Sequence, residues 1–149
     1  EWLGPHVYGL RRVDELQRLD LEQILLGMLG WDQRHELDKL APTHLIVPSG
    51  SRIRIDYSDP DAHVLAVRLQ ELFGLTETPR IGVRESVPLT LHLLSPALRP
   101  VQVTQDLASF WEEAYFDVKK DMKGRYPKHY WPDDPLSATP TNRVKPKGY

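Results

Sequence analysis

The sequence predicts an α+β fold with an N-terminal helical lead-in, two β-hairpins, packed helices and an extended proline-rich C-terminal tail. The hairpins are expected to form a small antiparallel or mixed sheet. Two observations support this fold class. Apolar residues recur with helical spacing near both ends of the chain, whereas they alternate with polar residues in its middle. Prolines at positions 127, 132, 135, 140 and 146 then exclude regular structure from the tail.

The lead-in, residues 1–40, carries the start and stop signals of short helices. In RLDLEQILLGMLG, Asp20 stands at an N-cap position and Gln23 follows three residues later, a spacing typical of a capping box. The apolar stripe of this helix consists of Ile24, Leu25, Met28 and Leu29. A second helix is predicted from about Asp32, and a preceding one around Val13–Leu19.

Two segments in the middle of the chain have the pattern of β-hairpins. THLIVPSGSRIRIDY reads as two strands joined by a Pro-Ser-Gly-Ser turn, and Ile53, Ile55 and Tyr57 alternate with charged residues on the second strand. VPLTLHLLSPALRPVQVTQD reads as the second hairpin. Its apolar residues Leu89, Leu91, Leu93, Val101 and Val103 are expected in the core.

Helices are predicted between the hairpins and after the second one. In SDPDAHVLAVRLQELFG, Asp59 is a candidate N-cap, Pro60 stands at the first helical position and Gly74 marks the end. The last helix starts after Asp106 and ends near Gly124. Its apolar stripe consists of Leu107, Phe110, Trp111, Ala114, Val118 and Met122.

Composition excludes several classes of protein and leaves a charge asymmetry. The 149 residues include no cysteine, so disulfides and thiolate metal sites are excluded, and no stretch has the length or pattern of a membrane span or signal peptide. A cytoplasmic location and a fragment of a longer polypeptide are expected. Residues 119–149 carry eight Lys and Arg against three Asp, whereas residues 1–118 carry 11 basic and 18 acidic groups. The basic end can bind an external polyanion or the acidic body.

Catalytic and metal motifs are missing from the sequence. It contains no phosphate-binding G-x-x-x-x-G-K-[ST] loop, no H-E-x-x-H pair and no G-x-S-x-G elbow. The six histidines are scattered without the spacing of metal ligands. The sequence therefore predicts no catalytic residue and no metal site, and a free-standing enzyme is the least supported function.

The turn of the first hairpin is a candidate phosphate loop. Ser49, Gly50 and Ser51 offer hydroxyl and backbone N–H donors, and Arg52 and Arg54 follow at once as possible nucleic-acid contacts. The alternative is a plain turn, in which Gly50 supplies a positive φ and the serines hydrogen-bond the loop. The second alternative is favoured because glycine-serine turns are common.

The segment KKDMKGRYPKHYWPDDP, residues 119–135, combines cations with aromatic rings. The candidate nucleic-acid contacts in this segment are Lys119, Lys120, Lys123, Arg125, Tyr126, Lys128 and Trp131. Rings can stack on unpaired bases while cations meet phosphates. Alternatively, the segment lies extended across its own domain with Trp131 as an anchor, which is slightly favoured because a proline-rich segment loses less entropy when it is fixed.

Several long sequence motifs in the chain resemble the C-terminal domain of the HrpB family, which consists of bacterial DEAH-box ATP-dependent helicases. The most specific are PSGS, IDY, RLQELFG, LHLLSP, RPVQVTQDL and KGRYPKHYWPDDP, in this order between about Leu40 and Pro146. The resemblance implies the C-terminal part of a helicase whose ATPase motifs lie in upstream domains. It also implies three regions: the lead-in at 1–40, an α+β helicase-associated domain at 41–131 and an extended basic tail at 132–149.

The resemblance further implies the partners and cofactors of the parent protein. ATP and Mg²⁺ are expected in the parent helicase and not in this chain. The expected partner is the helicase core of the same polypeptide, and the chain would extend the path of single-stranded RNA or DNA. The alternative function is a protein-interaction module that links the helicase to a separate protein partner. No membrane contact is expected.

Overall fold

The computed structural model describes residues 20–149, which have the α+β composition that the sequence predicts. The described residues fall into two compact units, one that ends at Leu37 and one that spans residues 38–149. The predicted helix around Val13–Leu19 lies outside the described residues. None of the helices in the described part is long and apolar enough to span a membrane.

Two short helices open the described part. Helix α1 spans Leu21–Met28 and helix α2 spans Trp31–Leu40. The N-cap prediction is confirmed, because the Asp20 Oδ1 atom accepts a hydrogen bond from the Gln23 backbone N–H at 3.0 Å. The Arg34 side chain donates from Nε to the Leu26 carbonyl at 2.6 Å, which joins the two helices.

A five-stranded mixed sheet forms the centre of the second unit. Its strands are β1 (His44–Ile46), β2 (Arg52–Asp59), β3 (Ala62–Arg68), β6 (Thr90–Leu94) and β7 (Pro100–Thr104), in the order β1-β2-β3-β6-β7. Strands β3 and β6 run parallel, and the other neighbours are antiparallel. Both predicted hairpins are confirmed. A separate two-stranded sheet pairs β4 (Arg80–Ile81) with β5 (Val87–Pro88).

The predicted helix between the hairpins is wrong. Strand β3 occupies the centre of that segment, and only one turn of 3₁₀-helix follows at Leu69–Leu72. The Asp-Pro signal belongs instead to a tight turn, in which the Asp59 side chain accepts a hydrogen bond from the Asp61 N–H at 2.9 Å. Leu65 is buried and Ala66 exposed, which is the alternation of a strand.

The chain closes the core with a helix that changes its winding. Helix α3 (Leu107–Ser109) continues into a π-helical segment, Phe110–Ala114, and then into helix α4 (Tyr115–Arg125). A π-helical turn holds an extra residue. In this region Phe110 and Trp111, which are adjacent in the chain, are both buried at 3% exposure.

The hydrophobic core lies between one face of the mixed sheet and these helices. The sheet contributes Ile55, Leu65, Val67, Leu91 and Leu93, and the helical segment contributes Leu107, Phe110, Trp111, Tyr115 and Met122. The prediction of Val103 as a core residue is wrong, because this side chain is 53% exposed. Val103 lies on the edge strand β7 opposite His92, and this pair belongs to the open face of the sheet.

Residues 126–146, called the strap below, have no helix or strand and cross the second unit. The Gly74 N–H donates to the Pro135 carbonyl at 2.9 Å, and the Thr141 N–H donates to the Gln70 carbonyl at 3.1 Å. The buried residues of the strap are Trp131, Pro132, Pro135, Ala138, Thr141 and Pro146. The tail is therefore part of the packed unit.

The N-cap of α3 leads to a prediction about acid stability. Hydrogen bonds from the backbone and hydroxyl of Ser109 hold the pKa of Asp106 below its ordinary value of 3.8. Because the pKa is lowered in the folded state, this cap stabilises the fold above pH ~4 and is lost as pH falls through the lowered pKa. We expect Asp106→Asn, which keeps an N-cap acceptor but cannot titrate, to lose less stability between about pH 5 and pH 2.

Urea unfolding of the wild type and of Asp106→Asn over this pH range measures the difference. Asp106→Ala serves as a further control, because it removes the cap at every pH and should be less stable than both at neutral pH. If the free energy of unfolding depended on pH equally in the wild type and in Asp106→Asn, protonation of the Asp106 carboxylate would not be a cause of the acid instability.

Candidate nucleic-acid interface

The structure divides the predicted contacts between two surfaces. Arg52 and Arg54 are exposed on β2 and alternate with Ile53 and Ile55, which pack on the core. The same core is covered on its far side by α4, which carries all the candidate cations of the C-terminal segment except Lys128. Arg52 and Arg54 therefore lie on the opposite face of the sheet from α4, and the two sets do not form one site.

Lys119 is held by the strap. Its ammonium group pairs with the Asp133 carboxylate, and only 12% of the Lys119 side chain is exposed. This hydrogen bond and the lysine charge together hold the pKa of Asp133 below its usual value. Lys119 thus joins α4 to the strap and is a poor candidate for phosphate contact.

Four cations of the segment remain accessible on α4 and in the residues directly after it. Lys120, Lys123 and Lys128 are exposed and form no ion pair with any residue in the range 20–149. The Arg125 Nε atom lies 3.2 Å from the Asp121 carboxylate, but both side chains are more than half exposed. This ion pair is therefore weak, and Arg125 can contact a phosphate in place of Asp121. Lys120, Lys123, Arg125 and Lys128 are called the α4 basic patch below.

The aromatic rings of the segment face inward. Trp131 is 9% exposed, and its Nε1–H donates to the Tyr126 carbonyl at 3.0 Å. Tyr126 and Tyr130 are partly buried against the core. Trp131 therefore has the geometry of the anchor in the self-docking alternative, and it offers no open face to a base while the strap stays in place.

The Tyr115 hydroxyl adds a second internal attachment of the strap. It donates to the Pro132 carbonyl at 2.8 Å, and burial is the main cause that raises the pKa of Tyr115. A phenol that stays protonated keeps this hydrogen bond at all physiological pH values.

The hairpin turn has the geometry of the plain-turn alternative. Gly50 has φ of +89°, and the hydroxyls of Ser49 and Ser51 both donate to Oε1 of Glu71. A carboxylate already occupies the position where a phosphate would sit in the phosphate-loop alternative, and like charges repel. The serines therefore stabilise the fold in this structure.

Sequence reasoning missed the residues that the strap brings to this turn. Arg68 donates from Nη1 to the Asn142 carbonyl at 3.1 Å, and the Asn142 amide lies 3.4 Å from the Ser51 hydroxyl. These partners are separated by 74 and 91 positions in the chain. No local pattern signals contacts of that range. Among the described residues, no group of three His, Asp or Glu could hold a metal ion.

Comparison with known proteins decides the family. Residues 2–135 match the family model HrpB_C, described as "ATP-dependent helicase C-terminal". The chain belongs to the HrpB C-terminal family. It is 51% identical over 144 residues to the ATP-dependent RNA helicase HrpB of Escherichia coli K12, and the match covers 97% of the chain and 18% of that relative.

Two solved structures contain the HrpB C-terminal fold. The E. coli DExH-box NTPase HrpB superposes with a TM-score of 0.84 at 50% identity, over 95% of this chain and 18% of that one. A second structure, of the E. coli DEAH/RHA helicase HrpB, gives a TM-score of 0.66 at 48% identity, over 87% of this chain and 16% of that one. The chain spans less than a fifth of each of these relatives. The α+β fold and the family that the sequence predicts are both confirmed.

Proposed function

We propose that the chain is a non-catalytic accessory domain of an ATP-dependent RNA helicase and contacts nucleic-acid phosphates through the α4 basic patch. The family relation supports the helicase context, because the matched relative is an ATP-dependent RNA helicase. In this proposal ATP and Mg²⁺ bind the motor core of the parent protein, outside this chain. The parent acts in the cytoplasm on RNA, or on DNA by the same phosphate contacts.

The fixed position of the patch carries the nucleic-acid role. Lys120 and Lys123 lie three residues apart on one helix, and the Lys119–Asp133 pair and the buried Trp131 attach that helix to the strap. Because the helix that carries these cations is already ordered, binding does not have to order its backbone, and each phosphate contact releases counterions. Such contacts do not depend on base sequence.

Docking on the motor core is supported by a different surface. Leu21, Leu25 and Met28 follow one side of α1 and are 48%, 48% and 52% exposed. Three large apolar side chains at this spacing form a stripe of the kind that packs against another protein surface. The helicase core of the same polypeptide is the partner that this proposal assigns to the stripe.

A salt titration tests the phosphate contacts. Binding of a fluorescent single-stranded RNA oligomer is measured by anisotropy at increasing NaCl, with the wild type and with a variant carrying Lys120→Gln, Lys123→Gln and Lys128→Gln. Because each lost contact to a single strand removes roughly 0.7 from the slope of log K against log salt, we expect the slope to shrink by about 2. Affinity should fall for all RNA sequences alike.

The control variant carries the same change of net charge at exposed cations outside the patch, Lys39→Gln, Arg99→Gln and Lys147→Gln. It should keep most of the slope of the wild type. Equal slopes in the patch variant and the wild type, or no binding of RNA by either, would refute the phosphate role.

A protein-interaction module is the second candidate, and the stripe on α1 favours it. Leu25→Asp should weaken association with a protein surface, because it places a charge in the centre of the stripe, and should leave RNA binding unchanged. Charge reversal at Lys123 and Arg125 that broke a protein complex and spared RNA affinity would assign the α4 basic patch to this function instead.

A further inference from the structure

Strand β1 has an outer edge whose backbone groups bond to no described residue. It stands first in the order of the mixed sheet, so β2 is its one neighbour there. The Val47 N–H donates to the Ser51 carbonyl at 3.0 Å, and bonded and non-bonded positions alternate along an antiparallel pair. His44 and Ile46 therefore direct their N–H and carbonyl groups away from β2. Among residues 20–149, no backbone group bonds to them on that side.

A cleft of about 590 Å³, called the edge cleft below, lies along this edge. Leu45, Ile46 and Val47 border it on one side, and residues 75–80 border it on the other. The wall that β1 contributes is apolar. Ile46 is 73% exposed, more than any other large apolar side chain in the described strands. A further strand paired with β1 would lie in this cleft.

A strained turn brings a carboxylate to the edge cleft. Glu85 borders the cleft and has φ of +52°, and the preceding Arg84 has φ of +54°. Residues other than glycine rarely adopt this conformation. The Arg80 guanidinium holds the turn, because it donates to the Glu85 carbonyl at 2.7 Å and to the Ser86 carbonyl at 3.0 Å. Such backbone strain costs free energy and is concentrated at functional sites.

The charged groups of the edge cleft favour a cationic occupant over an anionic one. Glu77 and Glu85 border the cleft, and neither forms an ion pair with any residue in the range 20–149. Arg80 is the one basic side chain among the described residues that border it, and its donors already meet two carbonyls. Two free carboxylates repel a phosphate and attract a lysine or arginine side chain. Nucleic acid is therefore a poor occupant of this cleft.

We propose that the edge cleft binds an extended segment of a protein partner, which adds a strand to β1 and places a lysine or arginine beside Glu77 and Glu85. Only an extended backbone matches the alternating donors and acceptors of a sheet edge. A single segment fits better than the edge strand of a second folded copy, because residues 75–80 border the far side of the cleft. The edge cleft shares no residue with the α4 basic patch or the stripe on α1, so the proposal does not depend on the proposed function.

Hydrogen exchange measures strand addition at the backbone atom concerned. The probe is an acetylated five-residue peptide of alternating valine and lysine, added to the 149-residue chain. The Ile46 amide proton faces the open edge and exchanges with solvent, and a hydrogen bond to the peptide protects it. With the peptide at about ten times its dissociation constant, NMR should show that exchange at Ile46 slows about tenfold. A peptide of alternating valine and glutamate should bind about fivefold more weakly.

A matched pair of variants tests the backbone contact. Ile46→Pro removes the outward N–H and leaves the hydrogen bonds between β1 and β2, which the residues on either side of it make. It should weaken binding of the valine–lysine peptide about tenfold. Ile46→Thr keeps the N–H and a β-branched side chain, and should stay within about threefold of the wild type. If Ile46→Pro does not fold, a valine–lysine peptide with every backbone nitrogen methylated asks the same question, and it should not bind.

The double variant Glu77→Gln and Glu85→Gln tests the charge. It should bind the valine–lysine peptide roughly fivefold more weakly than the wild type, because it removes both carboxylates that attract the lysines. The control carries Glu112→Gln and Glu113→Gln, which make the same change of net charge at exposed positions that do not border the cleft. It should bind the peptide as the wild type does.

Several results would overturn the proposal. In the first, the valine–lysine peptide leaves exchange at Ile46 unchanged. In the second, the valine–glutamate peptide or the methylated peptide binds equally well. In the third, single-stranded RNA protects the same amide. Protection of Ile46 that appears without peptide and rises with protein concentration would assign the edge to a second copy of this chain, and would overturn the proposal too.

Discussion

Removal of residues 125–149 is expected to unfold the α+β unit rather than to leave a shorter folded unit. The deletion takes away the buried strap residues and leaves Phe73 and Tyr115, both at 0% exposure, without part of their cover. It also removes the Pro135 and Pro132 carbonyls that accept hydrogen bonds from Gly74 and Tyr115. Domains of this size are stable by only about 5–15 kcal/mol, and the loss of several buried side chains exceeds that margin.

Circular dichroism during heating and the dispersion of amide NMR signals measure this outcome. The truncated chain should show no cooperative transition. Deletion of residues 147–149 alone is the control and should cost less than about 1 kcal/mol, because Tyr149 is 71% exposed. A truncated chain that melted cooperatively near the wild-type temperature would show that the strap adds little to the fold.

Trp131→Ala should have the largest effect of any single substitution in the strap. The indole is 9% exposed, and its N–H is bonded to the Tyr126 carbonyl. Truncation of a buried tryptophan leaves a cavity and costs roughly 3–5 kcal/mol. Urea unfolding at neutral pH should show this loss as a lower midpoint with an unchanged slope.

The matched control is Trp31→Ala, because Trp31 is 78% exposed and contacts its neighbour His35 by ring stacking at 5.4 Å. Its cost should stay within about 0.5 kcal/mol. If the two substitutions cost the same, Trp131 is not the anchor of the strap, and the aromatic residues of the segment become available for stacking on bases.

These two predictions change how nucleic-acid binding must be tested. A chain that is cut after Gly124 would lose RNA binding simply because it unfolds, so the loss would carry no information about phosphate contacts. Substitution of Lys120, Lys123 and Lys128 avoids the difficulty, because all three side chains are exposed. Only charge variants of the folded chain separate the two roles of the segment.

The parts of the fold that could be predicted from the sequence depend on neighbours in the chain. The N-caps Asp20 and Asp106 bond to residues three positions away, and the first hairpin is defined by its own turn. Strand β3 was not predicted, because Asp59-Pro60 is equally typical of a helix start and of a turn. In addition, the strand that pairs with β3 in parallel, β6, lies far along the chain. Propensity alone does not resolve such a choice.

The sequence could predict which residues make up the candidate interface, but not which of their side chains are exposed to a ligand. The sequence places cations and aromatic rings in one segment. It is compatible both with a segment that is exposed to nucleic acid and with one that packs on its own domain. The distinction depends on the Lys119–Asp133 pair and on the burial of Trp131, which need three-dimensional packing. The hydrogen bond from Arg68 to the Asn142 carbonyl spans 74 positions of the chain, and no local sequence pattern predicts a contact of that range.

The strap also sets the moment at which the protein can finish folding during synthesis. Thr141 and Pro135 bond to the segment around Gln70 and Gly74, so the earlier part of the unit must wait for residues that are translated later. At roughly 5–20 residues per second, about sixty-five residues take several seconds to produce. We expect a nascent chain that stalls before Trp131 to remain sensitive to proteases. The protein therefore becomes stable only after translation has passed this point.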